Sequence, residues 1–382
     1  MIERVRLENF KAFRYLDLPL APLTLLTGVN AAGKSTTMQA LALLRQSYDA
    51  GALDDEGGLL LNGDLVEFGI GRDVLHENYS DGSGGRSVHI AVGLQINGRY
   101  IAWRAEYQTT RDREADLLRC TRDIFSIENV SELARSGLFG VGFQYLRADR
   151  IVPAVHYPKS YEKAVRKGFL GVRGEHTVNF LRARQDEPVP DILRHPDAKS
   201  SGLLDQTEAW LQEICPGVNL AVEDLRGTDL VRLSYGFGGT AGIKSSNIRY
   251  RPTNVGFGLT YALPIIVACL SSGSDKLVML ENPEAHLHPY GQTLTARLAS
   301  LAVSAGAQVI IESHSDHVLN GVRLTVKDGV LTPDKVALHY FDRNDDGEIE
   351  VVSPEIGPDG MLSQWPRGFF DEWDRALDRL LD

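Results

Sequence analysis

One stretch near the N-terminus, residues 23–36, LTLLTGVNAAGKST, constrains this chain more than any other. Leu23 to Leu26 is a short apolar run that reads as a buried strand, and the residues after Lys34 read as a helix. Between them Gly28, Gly33, Lys34 and Ser35 satisfy G-x-x-x-x-G-K-[ST], in the strand–loop–helix setting that gives the pattern its meaning. The two glycines let the backbone wrap closely around a phosphate chain, while loop N–H groups and the helix N-terminus supply partial positive charge. Lys34 has the reach to pair with β and γ phosphates, and the Ser35 hydroxyl is the kind of oxygen that ligates Mg²⁺. Asn30 and Thr36 lie in the same loop-to-helix stretch and are counted with it. The expected ligand is a nucleoside triphosphate with Mg²⁺.

A strand–loop–helix of this kind belongs to an α/β sheet, and the rest of the chain supplies the other strands. Residues 2–10 alternate apolar and charged positions through Ile2, Val5, Leu7 and Phe10, and Leu16 to Leu20 continues that sheet. The helix after Gly33 carries Met38, Leu41, Ala42 and Leu44 at helical spacing and ends before Gly51. Residues 51–86, rich in glycines and acids, read as loop with short helices. SVHIAVGLQI and RYIAWRAEY flank Asn97-Gly98, the favoured two-residue hairpin turn, and Phe143 to Leu146 reads as a further strand. From Val255 a glycine-led helix, a strand at 277–280, a helix from about 289 to 305 and a strand at 309–311 alternate, as a mostly parallel nucleotide-binding sheet requires. The expected segments are an N-terminal ATPase lobe, 1–149, and an inserted, partly helical subdomain, 150–225, marked by prolines and weak periodicity. A C-terminal ATPase lobe, 226–352, and a tail, 353–382, follow. No heptad run is long enough for a coiled-coil arm.

Composition narrows the class of partner. A formal charge of −11 argues against a wholly basic nucleic-acid wrapper, although Lys11, Arg14, Arg45 and the basic residues of 147–184 leave room for a local basic surface toward DNA or RNA. Three separated cysteines, Cys120, Cys215 and Cys269, make neither a disulfide framework nor a CxxC metal hook. MIERVRLENF is unlike a signal peptide, and the most apolar run, Leu259 to Leu270, is about half a membrane span and contains Pro264. The expectation is a cytoplasmic protein without a membrane partner.

Two further loops carry chemistry. After KLVML comes ENPEAHLHP, and an acid at the carboxyl end of a buried strand is where Mg²⁺ is held through water, so Glu281 is the metal-side acid beside Ser35. Glu284 follows three residues later, with His286 and His288 beyond. The strand QVIIE runs into SHSDH, and loops at the carboxyl ends of adjacent strands converge on a ligand crevice, which makes His314 a candidate for the γ-phosphate or the attacking water. The histidines 286, 288 and 317 with Glu284 imitate a metal cluster, but their spacing lacks a closed four-ligand arrangement. Asp342-x-Asn344-x-Asp346-Gly347 mimics the start of a calcium loop. Ser353 at its twelfth position and strand-like flanks mark a hairpin turn instead.

Taken in order, ENFKAF, GVNAAGKST, NVGFGLTYALPIIV, LENPEAHLHP and IIESHSDHVLNGVR resemble the ABC-like ATPases of the SMC/RecF and OLD-type group, compact bacterial proteins often found in phage-defence loci. SQWPRGFFDEW resembles the tail of one subfamily. The resemblance implies an ABC-type head with an antiparallel β subdomain and an inserted helical region, binding ATP and Mg²⁺. It places Gly256, Gly258 and Thr260 in a signature that caps the γ-phosphate held by the opposite subunit, Thr260 replacing the usual serine. Asn282 stands where many relatives carry a catalytic glutamate, leaving Glu284 as the nearest carboxylate for the base and implying slow hydrolysis. Gln144 is a weak candidate for the Q-loop glutamine. The short stretch after the histidine loop leads to the expectation that the nuclease domain of OLD proteins is missing. The implied work is ATP-driven homodimerisation, or higher assembly, coupled to a separately encoded nuclease or toxin or to nucleic acid, in defence or DNA maintenance. Alternatives are an assembly module with little turnover and a self-sufficient metal-dependent nuclease.

Overall fold

The computed structural model describes residues 1–53, 57–77, 88–108, 112, 114–120, 136–238, 248–344, 346–366, 368–369 and 372–381. They form two compact units: Met1–Gly140 with Asp334–Glu355 and Leu362–Asp382, and Val141–Pro333 with Ile356–Met361.

The first unit opens with β1 (Ile2–Phe10), β2 (Phe13–Pro19), β3 (Leu23–Gly28) and α1 (Lys34–Asp49), followed by β4 (Gly58–Leu60), α2 (Gly71–Val74), β5 (Val88–Ile96), β6 (Arg99–Tyr107) and β7 (Leu117–Arg119). β2, β1, β5 and β6 make an antiparallel sheet in that order, with Leu7 between Leu16 and Val92. Alternation explains it: Ile2, Val5, Leu7 and Phe10 are buried while the charged residues between them are half-buried. The turn between β5 and β6 is the expected one, with Asn97 and Gly98 both at positive φ, 51° and 76°. One expectation is corrected. Within 51–86, Gly58–Leu60 is a strand paired with β7, too short for its periodicity to show, and α2 is four residues long. Residues 54–56 and 78–86 of that stretch lie outside the described residues.

In the second unit β8 (Gln144–Leu146), β9 (Tyr157–Pro158), α3 (Thr177–Ala183) and α4 (Leu203–Ile214) precede β10 (Val218–Leu225) and β11 (Leu230–Phe237). Then α5 (Phe257–Leu270), β12 (Leu277–Glu281), α6 (Pro289–Ser304), β13 (Gln308–Glu312) and α7 (Asp316–Lys327) alternate. β8, β12 and β13 run parallel, and the register sets Glu281 beside Glu312 at the carboxyl ends. Every residue of LVMLE and QVIIE is buried, which is why these strands read as unbroken apolar runs. The line drawn at 225/226 falls in the turn of a hairpin whose strands pair from Val218–Phe237 to Leu225–Leu230.

The chain then returns to the first unit through β14 (Val336–Arg343), β15 (Ile349–Val352) and α8 (Glu372–Leu381). β14 lies parallel to β3, Phe341 beside Gly28, and antiparallel to β15. The calcium-like stretch is the turn of that hairpin: the Asn344 side-chain carbonyl accepts the N–H groups of Asp346 and Glu348 at 3.1 and 2.8 Å. Among the described residues no helix is long and apolar enough to cross a membrane.

Candidate functional site

The phosphate loop is shaped by its neighbours in the first unit. Gly28 has φ 130°, and a Cβ there would stand 2.0 Å from the Phe341 carbonyl oxygen, which accepts the Val29 N–H at 3.0 Å. Gly33 has φ 90°, and its Cβ would fall 2.3 Å from the Phe13 ring. Each glycine is required twice, by backbone conformation and by space. Gly33 opens α1 without a side-chain cap, and the first turn holds no acid. The N–H groups there are satisfied by no capping side chain, the arrangement that favours an anion. Lys34 is 3% exposed, and its ammonium donates to the carbonyls of Gly28 at 3.0 Å and Val29 at 2.6 Å, curled inside the loop. Asn30 is exposed, Ser35 half-buried and Thr36 buried. Arg343 reaches from β14 to the Ala31 carbonyl at 2.9 Å and braces the loop.

Beside this loop the first unit holds a cavity of about 1060 Å³, with Lys11, Phe13, Tyr15, Thr36, Asp73 and Arg343 in its lining. Lys11 donates to Gln39 at 2.7 Å and lies 4.3 Å from the Phe68 ring centre, and burial pushes its pKa below the usual lysine value.

In the second unit Glu281 ends β12 at 9% exposure, its carboxylate accepting the Tyr145 hydroxyl and, at 3.1 Å, the Ala148 N–H. Burial and the adjacent carboxylate push the Tyr145 phenol well above its ordinary pKa, so it stays a donor. Asn282 has φ 42° and donates its N–H to the Glu312 carbonyl at 2.8 Å. Asparagine tolerates that left-handed conformation better than glutamate does, a local reason for the residue found here. Glu284 joins the two loops: its oxygens accept the Ser313 hydroxyl and the His314 N–H, both at 2.8 Å. The His314 side chain is exposed. Glu284 and His314 are thus brought together, as their strand ends suggest.

The glycine-led helix is present, with one correction. Gly256 is the N-cap of α5, exposed, with no side-chain cap and open space around a notional Cβ, and Gly258 packs against the His286 carbonyl. Thr260, however, is 2% exposed, and its hydroxyl faces that of Tyr235 without a bond of ordinary geometry. The helix starts at Phe257, so Thr260 lies one turn in, on the buried face, and does not present its hydroxyl. Thr253 and Asn254, just ahead of Gly256, are exposed. Gln144 is also accounted for internally: its amide donates to Gly168 at 2.6 Å and accepts from Leu170 at 3.1 Å.

Residues 23–320 match the family described as "AAA domain, putative AbiEii toxin, Type IV TA system". The chain belongs to this AAA-domain family. Residues 331–380 match a second family, described as "Protein of unknown function (DUF3696)". An OLD nuclease of Thermus scotoductus is 24% identical over 381 residues, covering 92% of this chain and 66% of the nuclease, so the chain spans just under two thirds of that relative. Two solved structures share the fold. One is an Smc head bound to the C-winged helix domain of ScpA, at TM-score 0.52, 14% identity and coverage of 93% of this chain and 97% of that one. The other is an Smc head with an extended coiled coil bound to the C-terminal domain of ScpA, derived from Pyrococcus furiosus, at TM-score 0.50, 12% identity and coverage of 100% and 99%. The AAA-domain protein therefore has an SMC-head-like α/β fold with parallel strands, flanking helices and antiparallel sheets, and its sequence is similar to that of an OLD nuclease.

The Ser35 hydroxyl in the first unit and the Glu281 carboxylate in the second are each oxygen donors of the kind that Mg²⁺, a hard cation that keeps several waters, takes. Among the described residues no three histidine, cysteine or acidic side chains converge to hold a metal by themselves. Tyr145, Ser313, Arg343 and Arg150 are site residues that sequence reasoning missed. Ser313 lies in the SHSDH loop and Tyr145 in a strand that the sequence shows, but each of the four acts on a residue far along the chain, which no local pattern announces.

Proposed function

We propose that this AAA-domain protein binds ATP with Mg²⁺, hydrolyses it slowly and uses ATP-driven pairing of two copies to control a separate effector. The phosphate loop carries this reading: a helix N-terminus without a side-chain cap or nearby acid, two glycines that admit no side chain, and a lysine curled among loop carbonyls. Lys34 would neutralise the β and γ phosphates, and the cavity lined by Lys11, Phe13 and Tyr15 has room for the base and ribose. Ser35 and Glu281 would hold Mg²⁺, which when bound neutralises charge on the phosphates. Glu284, with one hydrogen bond on each oxygen, retains lone pairs to take the water's proton, and His314 would orient that water. An asparagine at 282 cannot accept the proton, hence a slow switch. The open N-terminus of α5 at Gly256 would meet the γ-phosphate held by a second copy. Partner coupling is supported by the Smc heads, which are bound to ScpA domains, and a link to a toxin–antitoxin system by the family description.

Lys34→Ala tests the core of this. Removing a charge-assisted contact should weaken ATP binding at least about tenfold and reduce hydrolysis to background. Wild-type turnover in that variant would dismiss the phosphate-loop assignment. The likeness to an OLD nuclease favours a second reading, metal-dependent nucleic-acid cleavage by the protein itself. Nicking of plasmid by the purified chain, dependent on added divalent metal, is its test.

A further inference from the structure

Arg150 is 1% exposed, and a buried cation is costly unless its hydrogen bonds are well made. It donates to the main-chain carbonyls of Glu281 at 2.8 Å, Asn282 at 2.6 Å and Arg147 at 3.2 Å. Its guanidinium lies 5.4 Å from the ring centre of Tyr261 on α5. Burial lowers its pKa to about 10, against the pull of Glu284, Tyr261 and Glu281, so it remains a cation at neutral pH. The same strand end grips Glu281 by its side chain, through Tyr145 and Ala148. Segment 144–150 therefore holds the metal-side acid by both main chain and carboxylate.

The opposite face of the contact leads outward. The Tyr261 ring meets His286 edge-on at 4.5 Å, and His286 lies 5.8 Å from Phe257, the first residue of α5, which is 51% exposed. His286 at φ 63° and Asn282 at φ 42° are both non-glycine residues in the left-handed region, in one short turn. Strain of that kind persists only where neighbours over-determine the backbone, and the two carbonyl bonds from Arg150 are such a constraint. A lysine would carry the charge but lacks the planar fork that spans two adjacent carbonyls and presents a flat face to a ring.

We propose that Arg150 is a positioning residue that couples the exposed first turn of α5, through Tyr261, to the backbone that aims Glu281. Contact at that turn then alters how fast bound ATP is hydrolysed and leaves its affinity for the phosphate loop largely alone. The inference rests on the ATPase reading.

Full-length variants Arg150→Lys, Tyr261→Leu, Tyr261→Phe and the double Arg150→Lys/Tyr261→Leu separate the two. Single-turnover hydrolysis and equilibrium binding of a fluorescent ATP analogue are measured for each. Arg150→Lys should lose about 10- to 100-fold in rate, the range for residues that orient a metal site from behind, with affinity changed less than about twofold. Tyr261→Leu should fall in rate while every Arg150 hydrogen bond remains available, and Tyr261→Phe, which keeps the ring face, should recover most of the loss. The double variant should be no slower than Arg150→Lys alone, because the ring acts through the arginine. Wild-type rates in Tyr261→Leu, additive losses in the double variant, or affinity falling in step with rate would overturn the coupling. Absence of hydrolysis by wild type above a Lys34→Ala control would instead overturn the ATPase reading, and the inference with it.

Discussion

At the scale of single residues, Glu284 is the position where two roles meet. Its carboxylate ties Ser313 and His314 to the loop after β12 and is also the base we assign. The roles separate by substitution. Glu284→Gln keeps the size and one acceptor but cannot take a proton, so hydrolysis should lose most of its rate. Ser313→Ala removes one anchoring bond and leaves the carboxylate, and should cost less than about tenfold. Equal losses in single-turnover assays would mean that Glu284 only anchors the histidine loop. The placement of the motif residues was legible because it is local: spacing and residue type suffice to put Gly28, Gly33 and Lys34 in the loop and Glu281 at a strand end. Thr260 misled because its side chain's direction depends on where α5 begins, a boundary that periodicity leaves uncertain by a residue or two. Arg150 was invisible because nothing near it in sequence announces carbonyls at 281 and 282.

At the scale of elements, the informative feature is a helix that begins at a bare glycine. Gly256 has φ −60° and ψ 142°, ordinary values for any residue, and a Cβ there meets nothing within 4 Å. Unlike Gly28 and Gly33, it is not demanded by the fold. Gly256→Asp should cap α5 and leave the stability to thermal unfolding unchanged or raised by about a few tenths of a kcal/mol. The same carboxylate would repel a phosphate brought by a second copy, so ATP-dependent pairing seen by light scattering should be lost while each chain still binds ATP. Pairing that survives would take this helix end out of the proposed interface. The sequence already showed α1, β3, β12, β13 and the Asn97–Gly98 hairpin, whose apolar runs or turn chemistry are unambiguous. It did not show β10 and β11, where a half-exposed ribbon alternates weakly, nor the return of β14 to the side of β3, which is a fact of topology.

At the scale of the whole molecule, the question is whether an acidic chain carries a face for nucleic acid. The net charge is −11, so any such face must come from a local excess of cations. Arg45 cannot contribute, a correction to its reading as a surface residue: it is buried and bonded to the carbonyls of Leu138 at 2.8 Å and Gly140 at 2.7 Å and to Asp49. Lys11 is drawn onto Gln39 and Phe68. Within 147–184 the described cations are largely answered: Arg147 and Arg173 by Asp149, Lys159 and Arg182 by Asp224, Arg166 by Glu162 and Arg184 by Glu187. Each exposed pair is worth little for stability, yet each acid would stand beside an incoming phosphate and offset the cation's pull. A binding face that released several counterions would show affinity falling steeply with salt. The expected outcome is a fluorescence-anisotropy titration with labelled duplex that shows weak binding with a salt slope near zero, with or without ATP. A slope corresponding to several phosphate contacts would restore nucleic acid as a direct partner of this surface. A flat one leaves a protein effector as the object of the ATP-driven switch.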